Sequence, residues 1–230
     1  MLFNLRISLP DRPGTLGSVA TAFGQGGANI LTLDVVDNDA GVAVDDMVIE
    51  APEGMQLALR LANQVVPGLV VEELRPLEAF QDLMSPLELV AALVETRQSV
   101  LDLFVERLPE ALRSDWCVVL SAGPGEVTVV ASSIGAPSLA GVGSSWLPIY
   151  GAKRLPVSSW MPASWREGPA ARDGQGKFEL AGAPVFDQGT AALIGRRNGP
   201  QYRNSELVEF GLLARVATAS RSAVASSQGS

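Results

Sequence analysis

Leu2-Phe3-Asn4-Leu5-Arg6-Ile7-Ser8-Leu9-Pro10-Asp11-Arg12-Pro13-Gly14-Thr15-Leu16 decides the fold of the first third of the chain. Phe3, Leu5, Ile7 and Leu9 alternate with Asn4, Arg6 and Ser8, the period of two of a strand with one face in the core and the other open. Pro10 to Gly14 reads as a turn. Beyond it Leu16, Val19, Ala20 and Phe23 recur at helical spacing, with Thr15 placed to cap and Gly26-Gly27 placed to stop the helix.

Outward from this stretch, Asn29 to Val36 reads as a second strand, broken by the turn Asp37-Asn38-Asp39-Ala40-Gly41, and Val42 to Ala51 as a third. Pro52-Glu53-Gly54 opens a second helix on which Leu57, Leu61, Ala62 and Val65 share a side, and Pro67-Gly68 ends it. Leu69 to Leu74 closes the unit as a fourth strand. Strand, helix, strand, strand, helix, strand is the split βαβ, ferredoxin-like order, an α+β arrangement with both helices on one face of an antiparallel sheet. The fold is widely shared and names no function by itself.

The chain has 230 residues, comfortable for two domains. No stretch approaches the roughly 18 uninterrupted apolar residues of a membrane span. Met1 runs directly into the first strand with no secretory leader pattern, so a cytoplasmic protein is expected. Against 25 acidic residues stand 17 basic ones, a net charge of -8 that disfavours nucleic acid as a partner. Histidine is absent altogether. That removes the usual general base and the commonest metal ligand. With no nucleophile elbow and no dinucleotide glycine pattern, the sequence predicts a protein that is not an enzyme, without cofactor or metal. Cys117, the single cysteine, sits in an apolar run and reads as a buried hydrophobe. Asp37, Asp39, Asp45 and Asp46 lack the bidentate acid of a calcium loop, since Val48 holds its place, and read as solvated hairpin charges.

Asp11-Arg12-Pro13-Gly14-Thr15-Leu16 followed by Gly26-Gly27-Ala28-Asn29-Ile30 resembles the signature of ACT regulatory domains, a likeness that covers residues 1–76. It implies an effector amino acid bound between paired domains, hence a homodimer or higher homo-oligomer. Residue by residue it points to Asp11 and Gly14 in one loop and to Asn29 and Ile30 at the start of the second strand. The chemistry of these residues suits such a ligand. The N-terminus of the helix beginning near Leu16 favours a carboxylate, and Gly14 and Gly17 allow close approach. Asp11 can take an ammonium, and Asn29 both donates and accepts. Asp-Arg-Pro-Gly is also an ordinary turn sequence, in which Asp11 supports only its own loop and Asn29 only follows a glycine turn.

Residues 77–84 form a linker. Ser85-Pro86-Leu87-Glu88 gives a complete helix start, serine cap included, for one long helix carrying Leu89, Val90, Leu93, Val94, Val100, Leu101 and Phe104, which Pro109 bends or ends. Trp116 to Leu120 and Val127 to Ala131 read as a hairpin across residues 121–126. Residues 135–176 are rich in Gly, Pro, Ser and Ala and hold Trp146, Trp160 and Trp165. These three aromatics either pack against the domain or wall a small-molecule pocket. Phe178 onward, through Thr190 to Arg197 and a closing helix over Ser205 to Ser220, resembles the end of GAF domains. The likeness covers residues 85–222 and implies an antiparallel sheet with flanking helices that senses a ligand or dimerises. Arg196 and Arg197 read as solvated, and residues 223–230 as a flexible tail. Two functions are thus expected in turn: a regulator that binds a small amino acid and relays it to a regulated protein partner, or a ligand-free dimerisation scaffold.

Overall fold

The computed structural model describes residues 1–51, 54–77, 86–96, 99–123, 127–156, 160–162, 178–187, 189–197 and 199–228, with the side chains of 39, 178 and 224–228 excepted. Two compact units divide the chain, Met1–Asp82 and Leu83–Ser230. The linker residues beyond 77, the Ser85 cap, residues 124–126 of the hairpin turn and Trp165 lie outside the described residues.

In the first unit, β1 (Leu2–Pro10), α1 (Thr15–Gln25), β2 (Asn29–Asp39), β3 (Val42–Glu50), α2 (Gln56–Val65) and β4 (Val70–Leu77) follow one another. The sheet order is β2-β3-β1-β4 with antiparallel neighbours throughout, the ferredoxin-like topology read from the sequence. Leu5, Ile7 and Leu9 of β1 join Met47 and Ile49 of β3, Val19 and Phe23 of α1, and Ala58 and Ala62 of α2 in one core.

Gly14, not Thr15, caps α1, because its left-handed φ of 88° turns the chain into the helix. On α2 the buried residues are Ala58 and Ala62, while Leu57 and Val65 are exposed. The helices approach so closely that a Cβ on Gly26 would lie 2.5 Å from Ala58 Cα. Only small side chains fit between them, which displaces the larger residues of α2 to the surface. The second face of the sheet is not open along its central strands either. Asn4, Arg6, Val44, Asp46 and Val48 are all buried there, with Arg6 and Asp46 paired to neutralise each other.

The second unit comprises α3 (Pro86–Glu95), α4 (Val100–Ala111), β5 (Trp116–Ala122), β6 (Val127–Ser132), β7 (Lys153–Arg154), β8 (Phe178–Pro184), β9 (Thr190–Arg197) and α5 (Asn204–Gln228). Its sheet runs β6-β5-β9-β8-β7, again antiparallel, the arrangement with flanking helices that the GAF resemblance implies. One face, with Cys117, Val119, Ala192 and Ile194, packs on α3, α4 and α5. The other, with Trp116, Val118, Leu120 and Leu193, packs under the segment carrying Trp146, Ile149, Leu155 and Trp160. Burial on both faces explains the unbroken apolar run from Trp116 to Leu120.

The single long helix expected from Ser85 is two. Ser99, extended at φ -68° and ψ 106°, accepts a hydrogen bond on its hydroxyl from the Asp102 amide at 3.3 Å and starts α4 afresh. Pro109 does not end α4 at once but lies buried inside it, two residues before its end. The terminal helix continues to Gln228 and so takes in residues 223–228.

Candidate functional site

The Asp11 loop owes its shape to three backbone constraints. The Asp11 N–H donates to Gly41 O at 2.9 Å, which ties the loop to the β2–β3 turn. Thr15 N–H donates to Arg12 O at 3.1 Å, and Ser18 N–H to Gly14 O at 3.0 Å. Between these, the amides of Leu16 and Gly17 find no acceptor among the described residues. No side chain caps the helix and no acid stands in its first turn. A Cβ added at Gly14 or Gly17 would meet nothing within 4 Å. Two backbone donors at a positive helix end thus stand beside glycines whose missing side chains leave open space, an arrangement that suits a carboxylate.

An acidic group that sequence reasoning assigned to solvent stands near the same loop. Asp45 is 2% exposed and belongs to the run Ala43, Asp45, Met47, Ile49 that faces the helices. Burial, then the neighbouring Asp46 and Asp11 carboxylates, push its pKa upward. Neither acid is solvated, because β3 is a central strand buried on both faces, which leaves Asp46 4% exposed on the face opposite Asp45. Asp46 is taken up by Arg6, whereas no hydrogen bond to the Asp45 carboxylate is found among the described residues. Alternation was the signal that could have found Asp45, since an acid on core-facing parity in an unbroken strand calls for a partner.

Asn29 and Ile30 stand elsewhere. Asn29 pairs with Glu50, and Glu50 with Leu2, so Asn29 is level with the start of β1. Asp39 pairs with Val42, and Val42 with Pro10, so the Asp11 loop lies at the opposite end. At about 3.3 Å per strand residue, the length of β1 separates them by roughly 26 Å. One copy thus brings Asp11, Gly14 and Leu16 together with Asp45, and leaves the exposed Asn29 and half-buried Ile30 apart.

In the second unit, Trp146 and Trp160 are buried against each other. They are 7% and 6% exposed and their rings lie 5.4 Å apart. Trp146 Nε1 donates to Gly143 O at 2.9 Å, and Gly143 N–H to Trp160 O at 2.8 Å. Neither ring borders the cavity of about 660 Å³ beside β8 and α5. Arg196 is not solvated, since β9 is the middle strand of its sheet. Its guanidinium donates to Leu112 O, Arg113 O and Pro200 O at 2.9, 3.0 and 3.2 Å and to Glu206, and stacks on Tyr202 at 4.0 Å. Burial pushes the Cys117 thiol and the Tyr202 phenol upward, with Arg196 partly offsetting the latter. Among the described residues no cluster of metal-ligating side chains forms, and no helix is long and apolar enough to cross a membrane.

No family model matches the chain, and no curated protein does. Solved structures give distant likenesses. A protein described as a glycine cleavage system transcriptional repressor is 12% identical over 93% of this chain and 90% of its own, with a TM-score of 0.30. The GAF domain of a protein described as a sensor histidine kinase from Pseudomonas syringae pv. tomato is 14% identical over 62% of this chain and 86% of its own, TM-score 0.36. A formyltetrahydrofolate deformylase from Pseudomonas putida KT2440 is 14% identical over 34% of this chain and 30% of its own, TM-score 0.28. The match therefore spans less than a third of the deformylase. At such scores none of these proteins lends its activity to this chain.

Proposed function

We propose that the chain is a non-catalytic regulator whose first unit binds a small amino acid, with a second copy completing the site. The observation that carries this reading is the pair of unclaimed amides, Leu16 and Gly17, behind the left-handed Gly14, with Asp11 and the buried Asp45 close by. Donors for a carboxylate and acids for an ammonium then stand at one end of one sheet. Asn29 reaches this end only from another molecule. β2 is an edge strand, and antiparallel pairing of two β2 strands sets residue 29 of each copy opposite residue 39 of the other, level with the Asp11 loop. Effector binding favours whichever arrangement of the copies it fits better, and the second unit passes that change to a protein partner in the cytoplasm.

A ligand-free scaffold is favoured by a different observation, the exposed Leu31, Leu33 and Val35 on β2, which would bury in such a pair whether or not an amino acid is present. Calorimetric titration of the full chain with the proteinogenic amino acids separates the two. Asp11→Ala and Asn29→Ala homomers should each lose binding, whereas co-expressed mixed pairs should regain half the sites at the wild-type affinity. Saturation at about a hundred times Kd adds about 2.7 kcal/mol to the stability of the bound form. Self-association with no amino acid bound would leave the scaffold; mixed pairs that stay silent would end the two-copy site.

A further inference from the structure

The cavity of about 660 Å³ in the second unit is walled by Ile149 and Tyr150, by Phe186 and Asp187 beyond β8, and by Arg215 and Thr218 of α5. Small-molecule sites span about 300 to 1,000 Å³, so its size is right for a ligand. Its wall is also held in a defined shape. Phe186 holds a left-handed φ of 68°, a conformation that a bulky aromatic takes only where its surroundings impose it. Its N–H donates to Thr218 Oγ1 at 2.9 Å, and that hydroxyl donates in turn to Ala214 O at 2.8 Å. The ring stands edge-on to Phe104 at 6.3 Å, with the Arg221 guanidinium 4.6 Å above it.

Opposite charges border the same space without meeting. The Asp187 carboxylate is held in its turn by the Thr190 hydroxyl, which donates to one of its oxygens. Among the described residues no ion pair joins Asp187 to Arg215, and none pairs with Arg215 at all. A simple anion entering here would meet the repulsion of Asp187, and a simple cation that of Arg215. A zwitterion complements both.

We infer that this cavity is a second small-molecule site, which takes an apolar or aromatic α-amino acid with its carboxylate on Arg215, its ammonium on Asp187 and its side chain between Ile149, Tyr150 and Phe186. The site lies wholly within the second unit and does not rest on the reading of the first.

The test is titration of the ¹⁵N-labelled full chain with L-phenylalanine, followed at the Phe186, Gly189 and Thr218 amides, beside phenylacetate and phenethylamine, which each lack one charge. Saturable shifts at these three amides are expected, with each one-charge analogue weaker by at least about tenfold, the value of one hydrogen bond to a charged group. Arg215→Gln and Asp187→Asn should each weaken phenylalanine by a similar factor, and Arg215→Lys by less. Asn29→Ala, which addresses the first unit, should leave these shifts in place, so that either site can fail alone. Absence of shifts at the three amides, phenylacetate binding as tightly as phenylalanine, or both charge variants binding like the wild type would overturn the inference.

Discussion

The guanidinium of Arg6 on β1 meets the carboxylate of Asp46 on β3 through two parallel hydrogen bonds, Nε to Oδ1 at 2.7 Å and Nη2 to Oδ2 at 2.6 Å. Both side chains are buried, 2% and 4% exposed. Truncating either partner strands the other's charge in the interior, so Arg6→Met or Asp46→Ala is expected to cost on the order of 3–5 kcal/mol, while the double change Arg6→Met with Asp46→Leu restores most of it. All the tryptophans lie in the second unit, so urea unfolding of the first unit is read by far-ultraviolet circular dichroism. Single variants within about 1 kcal/mol of the wild type would place the pair with ordinary surface ion pairs.

Asp45 sets a pH dependence of opposite sign from most carboxylates. Its raised pKa, caused first by burial and then by Asp46 and Asp11, means that the folded chain keeps a proton where the unfolded chain has lost it. Between the ordinary value of 3.8 and the raised one the native state binds more protons, so stability falls as pH rises through that window. Asp45→Asn should therefore raise the melting temperature near neutral pH, with the gain shrinking to nothing as pH falls to about 4. The same change should weaken the amino acid proposed for the first unit. Melting curves across pH check the first point, and a gain independent of pH would refute it.

These two acids mark where the sequence could be read and where it could not. Alternation in Phe3 to Leu9, the glycines at 26–27 and the tight turn at Ala40-Gly41 carry local information, and the order of strands and helices in the first unit follows from them. Burial on a second sheet face is not local. Nothing in Asn4-Leu5-Arg6 distinguishes a solvated arginine from one locked to Asp46, because the partner is on another strand. The split between α3 and α4 was legible in principle, since Ser99-Val100-Leu101-Asp102 is a helix start, but continuous apolar spacing on both sides masked it. The candidate loop at Asp11 was legible as chemistry; that Asn29 lies a strand length away follows only from register.

Two glycines should resist substitution for distinct reasons. A Cβ at Gly26 would lie 2.5 Å from Ala58 Cα and 2.7 Å from its nitrogen, and one at Gly195 would lie 2.2 Å from Trp116 Cζ2. Each alanine variant is expected to lose about 1–3 kcal/mol or more through overpacking. Trp116→Leu should recover part of the loss in Gly195→Ala, because the obstacle is a side chain. Ala58→Gly should not rescue Gly26→Ala, because there the obstacle is backbone. Equal rescue at both sites, measured by thermal unfolding, would contradict the packing described.

Arg196 gathers the end of α4, the turn after β9 and the start of α5 around one guanidinium. Beyond its bonds to the carbonyls of Leu112, Arg113 and Pro200, it engages Glu206, whose other oxygen accepts the Arg203 N–H at 2.8 Å. Glu206 thus fixes the first turn of α5 while neutralising a cation that is only 1% exposed. A lysine keeps the charge but has no planar fork to reach several acceptors at once. Arg196→Lys is therefore expected to destabilise the second unit by on the order of 3 kcal/mol, close to the effect of Glu206→Ala, and the double variant should fall well short of their sum because the two act as one unit. α5 should also become cleavable near Arg203 under limited trypsin digestion in each single variant. An Arg196→Lys protein that melts and resists trypsin like the wild type would show that charge alone, and not the fork, holds this corner together.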